Sequence, residues 1–227
     1  VICVPETCPE TKKNSVRARG GEYVDLRVVG AQYDDTERAA FRYADAEGLV
    51  FVSAYEDTQI AAGQGTLAIE MLEDEPELDA IICPLSGGGL LTGVTVAARA
   101  LRPQVEIWGT MARNNQSWQR AWEIGRVEPV DELDSIADAL GGMASPKLFG
   151  FIRSSITGIA DASEDEIAKS MAAVHKLHHM VIEGAAGTAV SALMSGHIDV
   201  KNKRVGVVIS GGNVDDAKFV RILEGNL

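Results

Sequence analysis

Leu78-Asp-Ala-Ile-Ile-Cys-Pro-Leu-Ser-Gly-Gly-Gly-Leu-Leu91 is the stretch on which the fold turns. Leu78 to Pro84 is a short, almost continuously apolar run, the pattern of a strand buried on both faces. The glycines follow at once, and an apolar helix then extends to Leu101, where Pro103 stops it. A doubly buried strand leading through a tight turn into a helix is the repeating unit of a parallel sheet covered on both sides. Ligands bind such sheets at the carboxyl ends of the strands.

The same alternation continues outward in both directions. Upstream, a helix runs from Thr58 through Leu72 to the acidic break Glu73–Glu77, and Leu49–Val52 reads as a short strand. Before it come a helix at Asp34–Glu47 stopped by Gly48, a strand at Tyr23–Val29, a helix from Pro9 to Arg19 ending at Gly20-Gly21, and a strand at Val1–Val4. Downstream, Val105–Gly109 is a strand. Ser163-Glu-Asp-Glu166 has capping-box spacing, and Ile167, Met171, Val174 and His178 share one face of the helix it opens. A small-residue helix from Glu183 to Met194 precedes a last core strand, Arg204–Ile209, which runs into Ser210-Gly-Gly-Asn213. The expected class is α/β, with two open, mostly parallel sheets flanked by helices.

Composition narrows the function. The chain has 227 residues, 46% of them hydrophobic and 24% charged, enough apolar material for a sizeable core. A net charge of −12 repels phosphate backbones and anionic lipid, so nucleic acid and membrane surfaces are excluded as expected partners. Cys3, Cys8 and Cys83 stand in no zinc or redox spacing, which fits reduced thiols and a cytoplasmic location. Neither a spanning segment nor a basic-then-apolar leader is present. The opening run Val1-Ile-Cys-Val-Pro5 begins inside a strand without Met, which predicts that sequence is missing upstream.

The two glycine turns are where chemistry is expected. At Ser86-Gly-Gly-Gly-Leu90, successive free N–H groups at a helix start can converge on an anion such as a phosphate, and the helix terminus adds about half a positive charge. The plainer alternative is a tight turn whose glycines only make steric room. The turn lacks the Gly-Lys-Ser/Thr ending of a P-loop and the spaced dinucleotide fingerprint. Ser210-Gly-Gly-Asn213 puts a hydroxyl at the end of a second core strand, although Gly and Asn also make ordinary turns.

Six segments carry a resemblance: Val4-Pro-Glu-Thr7, Ala61-Ala-Gly-Gln-Gly-Thr66, Ser86-Gly-Gly-Gly-Leu90, Ile136-Ala-Asp138, Val181-Ile-Glu-Gly-Ala185 and Ser210-Gly-Gly-Asn213. In order and spacing the chain resembles the pyridoxal-phosphate threonine/serine dehydratase and serine racemase family, over nearly its whole length. The resemblance implies a fold type II enzyme incomplete at its N-terminus, with residues 1–53 left from the small domain and 54–227 from the large cofactor-binding one. It implies pyridoxal 5′-phosphate as cofactor, its phosphate held by Ser86, Gly87, Gly88, Gly89 and Leu90 and its ring nitrogen met by Ser210, with Glu183 close by. A neutral hydroxyl at that nitrogen leaves the electron sink weaker than an Asp would, which suits early loss of a β-leaving group. The implied reaction is dehydration and deamination of a β-hydroxy amino acid, threonine or serine, to a 2-keto acid and ammonia. Racemisation within the same family and a non-catalytic phosphate-binding relative are the alternatives.

The departures from the family are equally specific. Its Schiff-base lysine belongs to a segment upstream of Val1, so no catalytic residue is assigned and this chain alone is expected to be inactive. Lys12, Lys13, Lys147, Lys169, Lys176, Lys201, Lys203 and Lys218 read as surface charges. Thr110 stands where relatives carry a cation-binding Glu, so no metal site is expected. Ala139 replaces a usual Gly after Asp138.

His175, His178 and His179 with Glu183 could cluster on a helix, but no further fixed ligand completes a zinc site, and a surface or subunit-contact role is expected. Glu183 can equally serve the start of its own helix. A homodimer or tetramer is implied, with Trp118 and Trp122 as interface anchors or core. The end at Leu227 leaves no room for an appended regulatory domain, so feedback inhibition is not expected.

Overall fold

The structure, a computed structural model, describes residues 1–131 and 133–226. The chain divides into two compact units, Val1–Val52 and Ser53–Leu227. In the first, β1 (Ile2–Val4) pairs in parallel with β2 (Leu26–Val28), Ile2 opposite Leu26 and Val4 opposite Val28. The helices α1 (Glu10–Gly20) and α2 (Tyr33–Ala46) belong to the same unit.

Two expectations fail here. Leu49–Val52 forms no strand, and its first amide is engaged in ending α2. Gly48 takes φ 64° and the Leu49 amide donates to the Ala44 carbonyl at 2.8 Å, the left-handed helix stop. Val50 is then left 89% exposed. Lys13 is not a surface charge: its stem is buried along α1 and its ammonium reaches the Glu10 carboxylate.

The second unit is a four-stranded, all-parallel sheet in the order β5-β4-β3-β6, built from β3 (Ala80–Pro84), β4 (Glu106–Ala112), β5 (Gly158–Ala162) and β6 (Val205–Val207). Alternate residues of β3 serve opposite faces. Ile81 and Cys83 join one apolar cluster with Leu72, Leu91, Ile107 and Ile152, whereas Ile82 joins another with Ala189, Ala192 and Ile198. All of β3 is buried, which is why its sequence shows a continuous apolar run rather than alternation.

The connecting helices are α3 (Thr58–Asp74), α4 (Gly89–Leu101), α5 (Ser117–Ile124), α6 (Pro146–Ser155), α7 (Glu164–His178), α8 (Gly184–Met194) and α9 (Asp216–Leu223). Local chemistry places their starts. Asp57 caps α3 by accepting from the Gln59 and Ile60 amides, and Ser163 and Glu166 form the expected capping box on α7. Ile167, Met171 and Val174 are buried as the period requires, but His178, in the last turn, is exposed.

Helices α3 and α4 approach at two glycines. A Cβ on Gly93 would lie 2.0 Å from the Ala61 carbonyl oxygen and 2.8 Å from the Gly65 nitrogen. The Ala61–Thr66 segment is thus a packing surface that seats α4, and α4 in turn carries the first glycine turn. Helices α5, α6 and α9 and strand β5 were not read from the sequence. Only α6 had a clear local signal, Ser145 as cap with Pro146 in the first turn.

Candidate functional site

Strand β3 delivers the chain into Leu85 and the turn Ser86–Leu90, and α4 begins at Gly89. Gly88 stands at φ 102°, a backbone state that side-chain-bearing residues rarely adopt. The turn is walled on two sides. A Cβ on Gly87 would sit 2.4 Å from the Tyr55 ring and one on Gly89 2.6 Å from the Tyr55 Cα, while one on Gly88 would sit 2.7 Å from Ile152 Cδ1 and 3.4 Å from the Trp118 ring. The steric reading therefore holds at Gly87 and Gly89, where Tyr55 leaves no room for a side chain, while at Gly88 the close neighbour is the end of Ile152.

Backbone donors are left over in the same turn. Among the described residues, the amides of Gly87, Gly88, Gly89, Leu90 and Leu91 donate to no backbone carbonyl, and the first bond of α4 is from Thr92 to Gly88, at 2.9 Å. Five successive N–H groups at the positive end of a helix of 13 residues form a cradle that suits a phosphate, whose oxygens need several donors at close approach.

Ser86 is held at both of its polar ends. Its hydroxyl donates to the Gly141 carbonyl at 3.0 Å, and its carbonyl accepts from the indole N–H of Trp118. The receiving segment is pinned in its turn: the Asn115 side-chain amide donates to the Leu140 carbonyl and, at 3.2 Å, to the Gly142 carbonyl, and Ser117 Oγ accepts from the Ala144 amide at 2.7 Å. Ile136-Ala-Asp138 is thus part of the support for the glycine turn. Glu164 anchors its start by accepting from the Ser135 hydroxyl at 2.8 Å and from the Ile136 amide at 2.7 Å.

The second turn follows the strand that pairs with β3. Ala80, Ile81 and Ile82 face Val205, Gly206 and Val207, and the Val208 amide donates to the Ile82 carbonyl at 2.9 Å. Strand β6 ends at Val207, and Ser210 follows it, exposed, beyond the carboxyl end of the strand. Glu183 precedes α8 but makes no side-chain cap on it. Its amide instead donates to the Gly211 carbonyl at 3.0 Å and its carboxylate accepts from the Asn213 amide at 3.3 Å. Glu183 therefore organises the Ser210–Asn213 turn, a role that neither its sequence context nor the helix dipole indicated.

Other candidate groups are dispersed. Thr110 is fully buried, 3.0 Å from the Thr188 hydroxyl and bonded to the Cys83 carbonyl at 3.4 Å, so it completes a polar contact between sheet and α8. His175 packs edge-on against Phe219 at 5.4 Å, and His179 ends α7 with φ 55°. Among the described residues, no group of three or more His, Cys, Asp or Glu is placed to hold a metal ion. Trp118, 2% exposed, is core and cannot anchor an interface between subunits. Lys147, Lys169 and Lys203 are paired with Glu56, Asp165 and Glu106 at 2.6–2.7 Å. Burial pushes the Cys83 thiol up, which leaves it without thiolate character. No described helix is long and apolar enough to cross a membrane.

Comparison with known proteins follows this geometry. A family described as "Pyridoxal-phosphate dependent enzyme" matches residues 1–211. A putative threonine dehydratase of Sinorhizobium fredii is 33% identical over 227 residues, 99% of this chain and 68% of that protein. The L-threonine ammonia-lyase of Thermotoga maritima is 32% identical over 227 residues, 100% of this chain but only 56% of that protein. Among solved structures, the serine racemase of Dictyostelium discoideum superposes with a TM-score of 0.81 at 29% identity, over 94% of this chain and 68% of that one. The chain thus spans between about half and two thirds of the length of these relatives.

Proposed function

Since the chain belongs to the family of pyridoxal-phosphate dependent enzymes, we propose that it forms the cofactor-binding part of a lyase that removes water and then ammonia from a β-hydroxy amino acid, threonine or serine. The observation that carries this reading is the set of five uncommitted amides at Gly87–Leu91, which follow β3, the strand paired with β6, and β6 is in turn followed by Ser210.

In this reading the amides from Gly87 to Leu90, with Ser86, bind the cofactor phosphate, and the Ser210 hydroxyl meets the ring nitrogen. Pyridoxal phosphate supplies an electron sink for the bonds at the amino acid's α-carbon. What the chain itself contributes is orientation. The cradle fixes one end of the cofactor, Glu183 holds the Ser210–Asn213 turn in place, and the buried Thr110–Thr188 pair keeps α8 seated on the sheet that carries both turns. None of the chain's eight lysines lies in either turn. In this reading the two turns supply the phosphate and ring-nitrogen contacts, and the anchoring lysine lies outside both of them.

The names of the relatives support a lyase first. The likeness to a serine racemase supports racemisation as the second reading. The free thiols of Cys3, Cys8 and Cys83 fit a reducing, cytoplasmic setting. The test is to supply the natural full-length protein with pyridoxal phosphate and then with L-threonine or L-serine. Release of a 2-keto acid and ammonia in equal amounts supports the lyase, and D-serine without keto acid supports the racemase. No spectral change with the cofactor sinks both and leaves a non-catalytic phosphate binder.

A further inference from the structure

Trp118 donates its indole N–H to the Ser86 carbonyl and is 2% exposed, so the carbonyl is drawn inward toward the core. A peptide unit is planar and trans, so the N–H of Gly87 must point opposite to the C=O of Ser86. We propose that Trp118 is a positioning residue for the anion cradle: by holding the Ser86 carbonyl inward it aims the Gly87 amide outward, at the phosphate. This rests on the cofactor reading given above.

Three further contacts show why one donor suffices to set this peptide. The Ser86 hydroxyl is tied to the Gly141 carbonyl at 3.0 Å, which restrains the residue on its side-chain end. Tyr55 lies against Gly87 and Gly89 on the opposite wall. The indole itself is locked, with its ring 5.9 Å from that of Phe149; its neighbour Ser117 donates its amide to Asn115 Oδ1 at 3.2 Å and accepts at Oγ from the Ala144 amide at 2.7 Å. With the permissive φ of Gly87 on one side, the Ser86–Gly87 peptide could otherwise rotate, and the rotated form would turn a carbonyl oxygen toward the anion. Ring packing alone needs no N–H, so a phenylalanine would fill the core but leave this peptide unrestrained.

The test compares the wild-type protein with Trp118→Phe, and with a protein carrying 3-benzothienylalanine at position 118, which keeps the shape of the indole and lacks its donor. Affinities for pyridoxal phosphate and for inorganic phosphate are measured by titration, together with the ³¹P shift of bound cofactor and the melting temperature of the free protein. The expected result is a Kd raised roughly 3- to 10-fold for both ligands in both variants, the weight of one hydrogen bond, with a displaced ³¹P resonance. In the benzothienyl protein the melting temperature should be little changed. Wild-type affinity and an unmoved ³¹P resonance in the benzothienyl protein overturn the proposal, whatever the phenylalanine variant does to folding. A wild-type protein that binds phosphate but not pyridoxal phosphate refutes the cofactor reading instead, and the phosphate ratio still decides the role of Trp118. Binding of neither ligand by the wild type overturns both.

Discussion

Glu183 and Asn213 are joined, the glutamate carboxylate accepting from the backbone N–H of Asn213 at 3.3 Å while the Glu183 backbone N–H donates to the Gly211 carbonyl at 3.0 Å. This pairing makes the loop before α8 and the turn after β6 one unit. Glu183→Ala should loosen Ser210 and raise the Kd for pyridoxal phosphate on the order of tenfold, the range of a charge-assisted hydrogen bond. Gly211→Ala places a Cβ 2.5 Å from Glu183 Oε1 and should give a similar loss by pushing the carboxylate away. If titration finds either variant equal to wild type, Glu183 does not organise the site.

Gly63 and Gly93 both lie inside helices but should respond oppositely to alanine. At Gly93 the added methyl meets the Ala61 oxygen at 2.0 Å, backbone that cannot yield without separating α3 from α4, and a loss of roughly 1–3 kcal/mol or more is expected. At Gly63 nothing lies within 4 Å, and alanine should add about 0.5–1 kcal/mol through helix propensity. Thermal or denaturant unfolding of the two variants checks the sign of each.

Gly88→Ala combines an unfavourable φ of 102° with a contact at 2.7 Å to Ile152 Cδ1. The far end of Ile152 can move, so the fold should survive with a cost of roughly 1–2 kcal/mol for the backbone state. The amides of the cradle would then be misdirected, and phosphate and cofactor affinity should fall at least tenfold while circular dichroism stays native. Retained affinity would mean that the turn does not bind through its backbone.

Glu166 is held down to about 2, first by the Ser163 amide, against an opposing effect of burial, and further by the Ser163 hydroxyl and His197. A carboxylate whose folded value lies below its unfolded one stabilises the protein above the unfolded value and loses that contribution as pH falls toward the folded one. Its contribution, roughly 2–3 kcal/mol at neutral pH, should therefore fade between about pH 5 and pH 2. Glu166→Gln should lower stability at pH 7, and the gap to wild type should narrow steadily over that acidic range. A gap independent of pH would assign the effect to the shape of the cap rather than to the charge.

The parts of the fold legible in the sequence are those set by short-range chemistry. Ala80–Pro84 shows a doubly buried strand because both of its faces meet apolar clusters, and the serine and glutamate of Ser163–Glu166 satisfy amides three residues away. Helix α5 was missed because only Ser117, Trp118 and Ala121 are buried in a run of eight residues, too short for a period to register. Leu49–Val52 misled for the converse reason: four apolar or β-branched residues look like a strand, yet the stop of α2 engages the first amide.

The sequence by itself determined the alternation of strand and helix, the position of the two glycine turns at strand ends, and through its motifs the family, since each depends on residues within a few positions of one another. Only the tertiary structure decided what surrounds those turns. Tyr55, Trp118 and Gly141 reach Ser86–Gly89 from 30 to 55 positions away in the chain, and Glu183 reaches Asn213 from 30. Contacts of that kind leave no local period or spacing to read. They exist because the parallel sheet brings the carboxyl ends of β3 and β6 side by side and buries the helices that follow them against its two faces.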